Sequence, residues 1–107
     1  MKRMDFNAEN DLLTHATLLA GASLQAEDAG QRERTIVRLR KYETAIQAVS
    51  LPEHATLKRL VLQTVRSAIR FLQTGKQSDA KLTRRNGGNV ASEFGRLKRA
   101  SRRRGAV

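Results

Sequence analysis

Apolar residues recur with the period of a helix over three long stretches of this chain. The clearest runs from Pro52 to Thr74. At 100° per residue, Leu57, Leu60, Val61, Thr64, Val65, Ala68, Ile69, Phe71 and Leu72 fill one wide arc. The opposite arc carries Arg59, Gln63, Arg66, Arg70 and Gln73, and no acid. Pro52 suits the first turn of a helix, and Gly75 suits the position just past its end. Upstream, Ile36, Leu39, Tyr42, Ile46 and Val49 repeat at 3-3-4-3 spacing and predict a second core-facing helix over about 31–50, entered after a break at Gly30.

The first stretch is different in kind. No residue from Leu12 to Ala26 is charged, and the apolar positions fall on nearly all sides of a helix predicted over about 10–29, with Asn10 as its N-cap. Such a helix is buried nearly all round. It is either the centre of the bundle or partly an interface with another chain, through Leu18 and Ala22. Ala16, Ala20, Gly21, Ala22 and Ser23 would allow a second backbone to come close.

Beyond Gly75 the periodicity thins. A short helix is expected over 79–85, capped by Ser78. Asn86-Gly87-Gly88-Asn89 then reads as a turn or hinge, and a last helix follows from Asn89 to about Arg104. Val90, Phe94 and Leu97 give that helix one narrow apolar stripe, and Gly95 costs it about 1 kcal/mol relative to Ala. It reads as conditional, ordered by docking or by a ligand. The expectation is an all-α protein: a three-helix bundle over 1–75 and a basic C-terminal helical tail over 76–107 on a Gly-Gly hinge. Deleting 87–107 would then leave the bundle's melting nearly unchanged. No internal repeat stands out.

Charge sharpens this picture. Of 107 residues, 21 are Lys or Arg and 10 are Asp or Glu, for a formal net charge of +11. Residues 57–107 hold fourteen of the basic residues and only two of the acids. An imbalance confined to one half points to a polyanion, with nucleic acid ahead of an anionic membrane surface. The tail has only three apolar residues on its narrow stripe and no Trp, too little for a membrane-surface helix. Asp5, Glu9 and Asp11 fall where a secretory leader would be positive, and the uncharged run is shorter than the ~20 residues a spanning helix needs, so the cytoplasm is the default.

Little supports catalysis. There is no Cys, which excludes disulfides, thiolate-held zinc and a thiol nucleophile. His15 and His54 lie on different predicted helices, without a His or carboxylate four residues on to make a metal pair. Thr74-Gly75-Lys76-Gln77-Ser78 lacks the upstream glycine of a phosphate loop, and Gly87-Gly88 has no strand before it. No metal, cofactor or small-molecule substrate is expected.

The basic positions carry the functional reading. Arg59, Arg66 and Arg70 fall within about 40° on the third helix, with Gln63 beside them. Lys81, Arg84, Arg85, Arg96, Lys98, Arg99, Arg102, Arg103 and Arg104 follow in the tail. Arg grips phosphate bidentately, and its excess over Lys there favours phosphate recognition over mere solubility. The aromatics Phe6, Tyr42, Phe71 and Phe94 are scattered, so contact with the backbone of DNA or RNA is expected rather than base stacking. The expected function is a non-enzymatic nucleic-acid-binding accessory protein, a subunit of a nucleoprotein complex or a small regulator. It would take a protein partner or a second copy through the first helix. The alternative is an inhibitor or adaptor that docks its basic helices on an acidic protein.

Overall fold

Asp5 starts the first helix. Its carboxylate accepts from the Ala8 amide at 2.8 Å, which fixes helix α1 at Phe6–Ser23 in the computed structural model, which describes residues 5–105 and side chains through Ala100. Asp5 thus takes the capping role expected of Asn10, and the helix begins one turn earlier. It also stops earlier than expected, because Asp28 caps the next element by accepting from the Gln31 amide at 2.7 Å. Helix α2 is therefore Ala29–Gln47, and Gly30 lies inside its first turn instead of breaking the chain. Lys58 closes the other end, donating from Nζ to the carbonyls of Gln47 and Val49 at 3.0 Å each. A cation there answers both the free carbonyls and the negative end of the helix dipole.

Pro52–His54 forms one 3-10 turn, and helix α3 follows as Ala55–Thr74. Gly75 ends it at φ 71°, in the left-handed region, with its amide on the Phe71 carbonyl at 2.7 Å. This C-cap is as the sequence predicts.

Helix α4 is one continuous run, Gln77–Gly105, of 29 residues. The short helix, hinge and last helix expected here are a single element, with Gly87 and Gly88 in its middle. The molecule is therefore all-α with four long helices among the described residues, not three and a tail. The reason is tertiary. Ala80, Thr83, Asn86, Val90, Glu93 and Leu97 are buried at 3-3-4-3-4 spacing, a seam that continues across the glycines. Thr83 Oγ1 donates to Ser67 Oγ at 2.9 Å, and the Asn86 amide reaches the Gln63 carbonyl at 3.4 Å. Each glycine lowers helix propensity by about 1 kcal/mol, and docking on α3 outweighs that.

Those bonds also set the topology. Residues 67 and 63 of α3 meet 83 and 86 of α4, so the two run antiparallel in the largest helix–helix interface of the fold. α3 packs against each of the other three helices. Its Leu57, Val61, Val65, Ala68, Ile69 and Leu72 join Leu13, Ala16, Ala20, Leu39, Ile46, Val90 and Leu97 in one core.

Helix α1 is not buried all round. Leu13, Ala16, Ala20 and Ser23 face inward, while Leu18 is 65% exposed and Ala22 is exposed. Near its start lies a buried polar pair. Glu9 Oε1 meets His54 Nδ1 at 2.8 Å, and Glu9 Oε2 accepts from the Ser50 amide at 3.1 Å. Phe6 stacks on the imidazole with ring centres 4.4 Å apart. His54 Nε2 is buried and has no partner among the described residues. This pair joins the first turns of α1 to the corner between α2 and α3.

Candidate nucleic-acid interface

α3 buries most of its circumference and leaves one strip outside. Arg59, Gln63, Arg66, Arg70 and Gln73 lie on that strip and are all exposed, as the arc in the sequence predicts. The strip has neighbours on both sides. Arg66 Nε donates to Glu43 of α2 at 2.8 Å, and the Gln63 carbonyl accepts from Asn86 of α4. An acid does therefore reach the basic arc, but from another helix, which periodicity along α3 cannot show. Arg59 and Arg70 make no ion pair among the described residues.

α4 turns its basic residues away from the seam. Lys81, Arg84, Arg85, Lys98 and Arg99 are exposed and unpaired among the described residues. Arg96 is exposed but engaged: its Nε and Nη2 donate to the two Glu93 oxygens at 2.8 and 2.6 Å. The side chains of Arg102, Arg103 and Arg104 lie outside the described residues, although the helix backbone continues past them to Gly105. The only acids on α4, Asp79 and Glu93, are both buried and both bonded, Asp79 accepting from Thr74 Oγ1 at 3.0 Å. From Ala55 to Ala100 no carboxylate is left free to neutralise the surface.

The bonds from Arg96 hold the Glu93 carboxyl below the usual carboxylate range, against the opposing pull of burial, and Arg96 is raised in turn. A lowered folded-state pKa means stability that is fully present above the unfolded value of 4.5 and is lost as pH falls through the lower folded value. Arg96→Gln should flatten the acid limb of the stability curve. Thermal melts of both proteins between about pH 3 and pH 6 check this, and parallel limbs would show that the pair adds nothing to the fold.

Leu18 and Ala22, expected at a protein interface, edge a shallow groove of about 490 Å³. Gly21, Thr64, Thr83, Arg84 and Gly87 also line it, so it joins α1, α3 and α4. The polar bonds of the α3–α4 seam and the Glu9–His54 pair carry no signal in the sequence, because their partners lie between 16 and 45 residues apart. Among the described residues, no helix is long and apolar enough to cross a membrane, and no three His, Asp or Glu side chains converge as metal ligands would.

No protein-family model, curated protein or solved structure matches this chain.

Proposed function

We propose that this protein is a non-enzymatic binder of the nucleic-acid backbone, acting as a subunit of a nucleoprotein assembly or as a small regulator in the cytoplasm. One observation carries the reading. Arg59, Arg70, Lys81, Arg84, Arg85, Lys98 and Arg99 stand exposed on two adjacent antiparallel helices, and no acid among the described residues pairs with them. Such a surface repels itself in isolation and is relieved by a polyanion that releases its counterions on binding. The exposed Leu18 and Ala22 support a second contact through α1, with a protein partner or another copy of the chain.

Salt dependence tests the reading. Each phosphate contact adds about 0.9 to the slope of log K against log salt on duplex DNA, and about 0.7 on a single strand. Replacing Arg59, Arg66 and Arg70 together by Gln should lower the slope by about 2, not 3, because Glu43 already engages Arg66. Arg66→Gln alone should change it least. A slope unmoved by the triple replacement would leave α3 as solvated surface and α4 as the sole contact. An acidic protein partner, in contrast, would show no dependence of affinity on nucleic-acid length.

A further inference from the structure

The two basic clusters of α4 repeat one another. Lys81, Arg84 and Arg85 are followed eighteen positions later by Arg99, Arg102 and Arg103. At 3.6 residues per turn, eighteen residues are five whole turns. On the unbroken helix Gln77–Gly105 the two sets of positions therefore lie on the same side of the helix backbone, about 27 Å apart. Between Arg85 and Arg96, about 16 Å of helix carries no basic residue. On the same side this interval presents Gly88, Ser92 and Gly95.

Nothing inside the protein requires Gly88. Its φ is not positive, and a Cβ built there meets nothing within 4 Å. At Gly95 a Cβ meets only the end of the flexible Arg99 side chain, at 3.4 Å.

From this spacing we infer that α4 lies across the major groove of B-form duplex DNA, with one basic cluster on each flanking strand. The inference rests on the backbone-binding reading above and names its substrate. The major groove is about 12 Å wide and admits a helix. The facing ends of the two clusters, Arg85 and Arg99, are fourteen residues or about 21 Å apart along the helix, enough to span the groove and stand at its two rims. A single strand is served by a continuous cationic track with exposed aromatic platforms, and α4 offers neither: the track is interrupted, and Phe94 packs against the core. Duplex RNA is disfavoured because its major groove is deep and narrow. The short side chains over the groove reach few base edges, so affinity should vary little with sequence.

The experiment is a titration of the full chain against three probes of equal length and mixed sequence: duplex DNA of about two turns, the matching single strand, and the matching duplex RNA. Duplex DNA should bind at least about tenfold more tightly than either of the others. Gly88→Leu should weaken duplex DNA binding by about tenfold, by holding the helix off the groove, without lowering the melting temperature. Gly88→Ala is the control for folding: it should raise the melting temperature, since a Cβ there meets nothing inside the protein. Equal affinity for duplex and single strand would overturn the groove geometry while keeping the backbone reading. So would wild-type duplex binding by both Gly88→Leu and Ser92→Leu. Failure to bind any of the three probes would remove the backbone reading, and this one with it.

Discussion

Deletion of residues 87–107 should leave a chain with no cooperative thermal transition near room temperature. The narrow apolar stripe in the sequence had implied the reverse, a dispensable tail. In the fold, Val90 is fully buried, Leu97 is 8% exposed, and Phe94 packs against the same cluster. Burying such side chains stabilises by about 1.5–3 kcal/mol each, so the loss of all three removes about 4.5–9 kcal/mol. A domain this size has about 5–15 kcal/mol in total. Truncation also uncovers the α3 face that α4 occupies and leaves it open to aggregation. Circular dichroism of the truncated chain through a melt checks this. A cooperative transition within a few degrees of the full chain would show that the second half of α4 is dispensable for the fold.

The other large effect is expected at Glu9. Glu9→Ala removes the partner of a fully buried imidazole nitrogen and of the Ser50 amide. A buried polar group left unsatisfied costs about 1–3 kcal/mol, and the lost bond to Ser50 adds about 1 kcal/mol, for about 3 kcal/mol together. Glu9→Gln should cost less, since the amide oxygen can still accept. His54→Ala removes the same bond and leaves a cavity under Phe6, so it should cost at least as much as Glu9→Ala. Urea denaturation of the three variants measures these differences. Losses below about 0.5 kcal/mol for both alanine variants would mean that water satisfies this corner as well as the pair does. None of the three should alter nucleic-acid affinity once folded, since the pair lies inside the bundle.

Much of the local structure was legible without the fold. The period of α3, its Gly75 cap and the exposure of Arg59, Gln63, Arg66 and Arg70 follow from one helix read alone, because a wide apolar arc leaves only one strip for solvent. Helix ends were less legible. Asp5 takes the cap expected of Asn10, and Asp28 starts the second helix ahead of the break expected at Gly30, because several residues within a few positions can satisfy the same free amides. The apolar character of α1 implies burial nearly all round, because it does not say how many neighbours a helix has. With neighbours on one side only, Leu18 is left outside.

The sequence by itself determined that the chain is helical, that its charge is concentrated in one half, and which residues of α3 face outward. These are properties of periodicity and composition, which are local. Tertiary structure decided the rest. Gly87 and Gly88 have weak helix propensity, and only the α3 surface beneath them, with Ser67 and the Gln63 carbonyl as partners for Thr83 and Asn86, makes them helical. Tertiary contact also sorted the cations, tying Arg66 to Glu43 while Arg59 and Arg70 pair with no acid among the described residues. It alone gave the interval between Lys81 and Arg99 a geometric meaning. Eighteen residues interrupted by a hinge have no defined direction, whereas eighteen residues of unbroken helix return to the same side after five turns.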